Sequence, residues 1–244
     1  MNTITYDPFL VALSYAISVF GSYTALQLAI AIPQARTWAE VIGSVTAAAV
    51  ALGGGAIWSM HFIGMNAAET GIPVAYDALL TIASLLLGIV ASAIGLFVVG
   101  RSDGGPFNLP VGGLVTGLGI AWMQYTGMAA MTMPAKISYD DTLYYASVAI
   151  AVLAATMALW FAFNLRGTWQ RFGSAIVMGI AACGVHYTSM FALQIERAKG
   201  AAANPDAFLS PSDLAYSVFA ITAILLTLLL IYSARSQRAL ESSR

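Results

Sequence analysis

Residues 78–99 read ALLTIASLLLGIVASAIGLFVV, a run without a single charged side chain. A helix needs about 20 apolar residues, at ~1.5 Å each, to cross the hydrocarbon layer of a bilayer. Seven apolar stretches of this kind follow one another along the chain, at residues 8–32, 41–65, 74–99, 109–133, 142–165, 174–195 and 214–234. They predict an all-α membrane protein with seven transmembrane helices.

The composition supports the same prediction. Of the 244 residues, 59% are hydrophobic and 9% are charged, whereas soluble domains contain about 25% charged residues. The seven stretches use most of the chain, so we expect one membrane domain over residues 1–234 and a short cytoplasmic tail over 235–244. The lipid bilayer is then the main partner, and the absence of a basic cluster in the sequence argues against nucleic acid.

The basic residues predict how the helices are oriented. With seven spans, three basic residues fall on the side of the N-terminus, namely Lys136, Arg197 and Lys199. The other seven fall on the side of the C-terminus: Arg36, Arg101, Arg166, Arg171, Arg235, Arg238 and Arg244. Because cytoplasmic loops are enriched in Lys and Arg, we expect the N-terminus outside and the C-terminus in the cytoplasm.

Three segments near helix ends are versions of one motif: residues 60–65 (MHFIGM), 123–128 (MQYTGM) and 185–190 (VHYTSM). Their central residues are His61, Gln124 and His186, and His61 and His186 are the only two histidines in the sequence. A spacing of about 62 residues over two spans returns each copy to the same orientation, as in parallel repeats. We therefore expect helix 1 followed by three repeats, made of helices 2–3, 4–5 and 6–7, with the motifs at one depth in the outer leaflet.

The motif places metal-binding side chains on one face of each helix, because residues i and i+4 lie together. Imidazole and thioether groups favour copper, particularly Cu(I), and a histidine inside a membrane is usually functional. The candidate ligands are His61, Met65, Met128, His186 and Met190, with Gln124 and Cys183 as supporting residues. Each methionine has packing as an alternative role, Gln124 has hydrogen bonding, and Cys183 has simple burial.

The sequence resembles the MHYT domain, a bacterial integral-membrane sensor module named after its tetrapeptide. Residues 59–65, 73–77, 124–131 and 186–188 carry the resemblance, which extends from helix 1 to helix 7. It implies a multi-pass protein of the bacterial inner membrane that senses oxygen, carbon monoxide or nitric oxide through copper bound near the outer surface. Carried over by position, the copper ligands are the histidines and methionines named above. Family members often continue into cytoplasmic cyclic-di-GMP domains, so with this short tail we expect a stand-alone member that signals through a separate cytoplasmic partner, with a stand-alone binding protein as the alternative.

Two departures from the family pattern affect the predicted site. Gln124 stands where a histidine is expected, and residues 185–190 have Val185 and Ser189 in place of Met and Gly. A site with three histidines is thus excluded, and we expect Gln124→His to tighten copper binding if position 124 faces the site.

Other functions remain open at this stage. One is a transporter for copper or another small solute, and another is a redox protein in which His61 and His186 are the axial ligands of a haem. A metal hydrolase would require about three histidine or carboxylate ligands, so we do not expect an enzyme.

Overall fold

Seven long helices make up most of the computed structural model, which describes residues 4–101, 105–165, 167–197 and 211–242. The first part contains α1 (Pro8–Ala29), α2 (Trp38–Asn66) and α3 (Ala78–Gly100). The others are α4 (Asn108–Ala129), α5 (Asp141–Asn164), α6 (Thr168–Ala192) and α7 (Pro211–Ser242). Their bounds agree with the predicted spans to within several residues, except that α7 continues as a helix through most of the predicted tail.

Six of these helices are long and apolar enough to cross a membrane, which confirms a helical membrane protein. The remaining one, α4, has 22 residues but is less apolar, because its sequence includes Asn108, Pro110, Gln124 and several glycines. Large apolar side chains such as Leu79, Leu153 and Ile221 are exposed on α3, α5 and α7, where a lipid environment would cover them.

Short antiparallel strand pairs, which the sequence analysis did not predict, lie at the end of the bundle where the motifs are. Strand β1 (Thr5–Tyr6) pairs with β2 (Ala68–Glu69), and β3 (Ala75–Tyr76) pairs with β4 (Met131–Thr132). The third pair, β5 (Ala135–Tyr139) with β6 (Leu193–Arg197), is longer. Strands of two to five residues are too short for an alternating pattern to stand out within apolar sequence.

Each strand pair joins the start of one helix to the end of the next, so that two helices form a closed unit. The amides of Asp7, Asp77 and Asp140 donate to the carbonyls of Ala67, Ala130 and Ala192, at 2.8–2.9 Å. The units are therefore α1–α2, α3–α4 and α5–α6, with α7 as the additional helix. The strand pairs thus connect the helices differently from the predicted repeats of helices 2–3, 4–5 and 6–7 after helix 1, because a sequence period gives the spacing of the copies but does not show which helix ends are hydrogen-bonded to each other.

The aspartates that open the units cap their helices, as their position before an apolar run predicts. Asp7 Oδ1 accepts from the amides of Phe9 and Leu10. Asp77 Oδ1 and Asp140 Oδ1 each accept from the amide three residues later, at 2.8 and 3.0 Å. These bonds satisfy amides that a helix N-terminus leaves unpaired, so the three carboxylates have a structural role.

Helix α2 changes its winding just before its motif. Residues Val50–Trp58 form a π-helix between the α-helical segments Trp38–Ala49 and Ser59–Asn66. Gly53 lies in this segment against the backbone of Gly88 in α3. Ser59, which follows it, bonds through Oγ to Gly54 O at 2.9 Å and to Thr222 Oγ1 of α7 at 2.8 Å. π-helical segments occur frequently at functional sites, and this one ends three residues before His61.

Candidate metal centre

The three central motif residues meet in the interior of the bundle, toward the end that carries the strand pairs. His61 Nδ1 lies 3.0 Å from His186 Nδ1, and Gln124 Nε2 lies 3.2 Å from the same His186 atom. The two imidazole rings are nearly perpendicular, with their centroids 5.1 Å apart. The structure thus brings together three residues that are separated by about 62 positions in sequence and lie on α2, α4 and α6.

This group is enclosed by protein. His61, Gln124 and His186 have exposed fractions of 1, 2 and 0%. Within the described residues, Nε2 of each histidine has no hydrogen-bond partner. A buried polar atom without a hydrogen-bond partner costs free energy. Both imidazole rings therefore lower the stability of the protein by the cost of one buried nitrogen that makes no hydrogen bond with the described residues.

The three motif methionines lie together beside the polar group. Met65, Met128 and Met190 are almost fully buried and belong to one apolar cluster with Phe62, Met131 and Leu193. Met128 Sδ is 3.9 Å from Gln124 Nε2. By contrast, Met60 and the half-buried Cys183 pack with a different cluster, built around α1, α2 and α6. The methionines predicted as ligands are therefore grouped, whereas the cysteine is not part of their cluster.

Aromatic contacts connect each unit to the next in a fixed cyclic order. The residue after each central position contacts the tyrosine that precedes the next capping aspartate: Phe62 with Tyr76, Tyr125 with Tyr139 and Tyr187 with Tyr6, at centroid distances of 5.0, 5.3 and 5.6 Å. Burial raises the pKa of Tyr6 and of Tyr139 to about 12. The last unit contacts the first, so the order closes into a ring.

Hydrogen bonds follow the same order. Each capping aspartate is followed seven residues later by a serine, and these serines are Ser14, Ser84 and Ser147. Ser147 Oγ is 2.7 Å from Tyr125 OH, and Ser14 Oγ is 3.4 Å from Tyr187 OH. In the first unit Phe62 has no hydroxyl group, and the indole of Trp58 donates to Ser84 Oγ instead, at 3.0 Å.

The histidines pack against glycines in the same cyclic order. His61 lies on Gly127 of the second unit, and His186 lies on Gly64 of the first. A Cβ atom at Gly64 would lie 2.7 Å from His186 Cδ2 and closer still to its Nε2; one at Gly127 would lie 3.0 Å from His61 Cδ2 and again closer to Nε2. Each imidazole therefore occupies space that any other residue in place of the glycine would fill.

These residues fit a copper ion better than a haem. Two imidazole nitrogens face each other at 3.0 Å with a thioether group nearby, which is the donor chemistry that copper selects. Two metal–imidazole bonds of ~2 Å that meet near the tetrahedral angle would separate the nitrogens by about 3.3 Å, close to the distance here, whereas an iron atom in line between both rings would separate them by about 4 Å. A porphyrin would also have to lie between rings that are now in hydrogen-bonding contact, so this arrangement does not fit a haem.

Comparison with known proteins agrees with this repeated architecture. The MHYT family, described as "Bacterial signalling protein N terminal repeat", matches residues 54–112 and 117–175. The chain belongs to the MHYT family. The first matched repeat begins in α2 before His61, and the second begins in α4 before Gln124. No solved structure matches the chain.

Curated MHYT relatives are much longer proteins. Over 195 residues, 78% of this chain and 28% of the relative, the identity is 43% to the bifunctional diguanylate cyclase/cyclic di-GMP phosphodiesterase MucR of Pseudomonas aeruginosa. The identity is 34% over 203 residues to the cyclic di-GMP phosphodiesterase NbdA of the same organism, covering 79% of the chain and 25% of the relative. For the signaling protein YkoW of Bacillus subtilis it is 30% over 249 residues, covering 96% and 30%. The chain thus spans less than a third of the length of each of these relatives.

Sequence reasoning named the residues of the centre but missed those that support it. The cyclic contacts of Ser14, Ser84 and Ser147 were not predicted. The signal was available, because Tyr6-Asp7 is a third copy of the Tyr-Asp pair seen at residues 76–77 and 139–140. The role of Gly64 and Gly127 as seats for the imidazoles needs the three-dimensional order of the units.

Proposed function

We propose that this protein is a copper-dependent sensor of the bacterial cytoplasmic membrane, with its motif end facing outward and its C-terminus in the cytoplasm. The observation that carries the proposal is the convergence of His61, His186 and Gln124 beside the methionine cluster. His61 and His186 would hold the ion, with Met65, Met128 and Met190 as thioether ligands. When bound, copper supplies a soft Lewis-acidic centre that accepts small neutral ligands.

The charge of the centre supports monovalent copper in particular. Its donors are neutral imidazole, amide and thioether groups, and no cluster of three His, Cys, Asp or Glu residues occurs among the described residues. Burying a charge in a medium of low polarity is costly, and the cost is lower for one charge than for two. A site without carboxylates therefore favours Cu(I) over Zn(II) or Cu(II).

A cavity below the centre supports a diatomic gas as the signal. It has a volume of about 50 Å³ and is lined mostly by Ala, Leu, Ile and Met side chains of α2, α4, α5 and α6, with Gln124 among its lining residues. Apolar cavities of this kind stay dry and accept small apolar molecules. We propose that oxygen, carbon monoxide or nitric oxide enters this cavity from the bilayer and reaches the centre past Gln124.

Helix α7 is the proposed output element. Thr222 of α7 is bonded to Ser59, two residues before His61, so a shift of the His61 backbone would be felt by α7. A ligand can bias this helix only if it binds two arrangements with different free energy. We propose that α7 passes the signal to a cytoplasmic partner, and the names of the relatives point to a partner that makes or degrades cyclic di-GMP.

Copper content tests the proposed site directly. We expect the purified protein to retain close to one copper per chain after Cu(I) loading under reducing conditions, and the His61→Ala/His186→Ala double variant to retain none, because both imidazole donors are removed. Elemental analysis after desalting gives the ratio. The matched control is Cys183→Ala, which removes the thiol and should leave the copper content unchanged. Equal copper in the wild type and the histidine double variant would refute the site.

Filling the cavity tests the gas proposal. Ala155 of α5 lines the cavity, so Ala155→Leu is expected to weaken binding of xenon and carbon monoxide by about tenfold or more, because the added carbons occupy the ligand volume. Xenon NMR reports occupancy without copper, and the infrared band of bound carbon monoxide reports it in the loaded protein. The control is Ala149→Leu on the exposed face of α5, for which we expect both signals unchanged. A wild-type level of binding in Ala155→Leu would contradict the proposal.

A further inference from the structure

The order of contacts around the centre assigns a partner to position 124. The first unit contacts the second through His61 and Gly127, and the third contacts the first through His186 and Gly64. The aromatic and serine contacts described above run in the same direction at all three junctions between units. Position 189 of the third unit is the counterpart of Gly64 and Gly127 in the repeat. Applied to the junction between the second and third units, this order of contacts places position 124 against position 189.

Both positions of this junction depart from the repeat. Position 124 has Gln where the other units have His, and position 189 has Ser where they have Gly. Ser189 is fully buried, and its Oγ donates to Val185 O at 2.9 Å. The Gln124 amide instead lies toward His186 Nδ1 and Met128 Sδ. The two departures thus occupy the two ends of one predicted contact.

Steric space explains why they occur together. At the other junctions a single Cβ atom on the glycine would overlap the imidazole, and serine carries both that Cβ and an Oγ. A rigid ring at position 124 would meet the Ser189 side chain, whereas glutamine has no ring and has one more side-chain torsion than histidine, so it can turn away. An imidazole and a serine are therefore incompatible at this junction.

We infer that Gln124 and Ser189 are a coupled pair, and that Ser189 is a residue that determines how many imidazoles the centre holds. The sequence alone predicts that Gln124→His tightens copper binding. The packing order changes this expectation: a third imidazole requires Ser189→Gly as well. The coupling is a matter of packing and holds without metal, whereas its consequence for copper rests on the proposed function.

Four proteins test the pair: the wild type, Gln124→His, Ser189→Gly and the double variant. In thermal unfolding of the metal-free proteins in detergent, we expect Gln124→His to lower the midpoint by about 5 °C or more. Adding Ser189→Gly should recover at least half of that decrease in the midpoint, although Ser189→Gly alone should not raise the midpoint above that of the wild type. If Gln124→His yields no folded protein, its recovery in the double variant is the supporting result. Equal midpoints for Gln124→His and the double variant would overturn the inference.

The mirror experiment moves the same pair to another junction. Gly127→Ser places the serine under His61 and should lower the midpoint, and His61→Gln/Gly127→Ser should recover it. No recovery there would overturn the steric rule.

Copper affinity separates the inference from the proposed function. By competition with a chromophoric Cu(I) chelator, we expect the Gln124→His/Ser189→Gly double variant to bind about tenfold more tightly than the wild type, and Gln124→His alone to show no gain. Coupled unfolding midpoints with no copper bound by any of the four proteins would support the pair and refute the copper site. Equal gains in Gln124→His and the double variant would overturn the pair while supporting copper.

Discussion

Gly64→Ala is expected to weaken Cu(I) binding by about 10–100-fold, as replacing a group that positions a metal ligand commonly does. The added Cβ would lie 2.7 Å from His186 Cδ2 and 3.3 Å from Cε1, so the ring has to rotate away. That rotation breaks the 3.0 Å approach of His186 Nδ1 to His61 Nδ1. Gly127→Ala should act in the same way on His61. Chelator competition on purified protein measures both effects.

The matched control for these variants is Gly184→Ala. Gly184 lies on α6 two residues before His186, and the nearest atom to an added Cβ is Ile150 Cγ2 at 3.9 Å. The same change in helix propensity is made there without a collision, so the copper affinity should stay at the wild-type level. If Gly64→Ala bound copper as tightly as Gly184→Ala, the imidazole of His186 would not be a ligand in the arrangement proposed here.

The prediction also separates two ways in which a methyl group can weaken the site. A general loss of packing would lower the unfolding midpoint of the metal-free protein together with copper affinity. Displacement of one ring would lower the affinity more than the midpoint, because His186 Nε2 has no hydrogen-bond partner among the described residues. Measuring both quantities on Gly64→Ala therefore distinguishes a displaced ligand from a damaged fold.

The helices and the central residues could be predicted because their signals are local. A run such as residues 78–99 spans a bilayer whatever its neighbours are, and a histidine in an apolar helix is conspicuous in any sequence. The grouping of helices could not be obtained in this way. It depends on strand pairs such as Thr5–Tyr6 with Ala68–Glu69, whose partners are more than 60 residues apart and whose pattern covers two residues each.

The support of the centre was hidden for a related reason. Gly64 and Gly127 are ordinary small residues of a membrane helix when read along the chain, where glycine commonly marks helix contacts. Their importance comes from the rings of other units, His186 and His61, that lie on them. Gly53 and Gly54 look equivalent when read along the chain, but the structure distinguishes them: a Cβ at Gly53 would meet the backbone of α3, whereas one at Gly54 would meet side chains.

The contact of Gly53 with the backbone of α3 predicts that a larger residue at this position lowers the stability of the protein. A Cβ at Gly53 of α2 would lie 2.5 Å from the carbonyl carbon of Gly88 and 2.8 Å from the amide nitrogen of Ile89 in α3. Backbone atoms of a helix cannot rotate away as a side chain can, so α2 and α3 must separate. We expect Gly53→Ala to destabilise the protein by at least the ~1–3 kcal/mol typical of overpacking, measured by unfolding in mixed micelles of increasing SDS content.

Gly54→Ala provides the comparison one residue along. Its added Cβ would meet only side-chain carbons of Leu85 and Ile89, at 3.5 Å, which is ordinary van der Waals contact. Alanine also restricts the unfolded chain more than glycine does, so its stability should equal or slightly exceed that of the wild type. A similar loss for both variants would mean that the π-helical segment itself requires glycine, and that the close approach of α2 and α3 is not what Gly53 provides. A loss confined to Gly53→Ala would tie the position of the π-helix, and with it that of His61, to the backbone of α3.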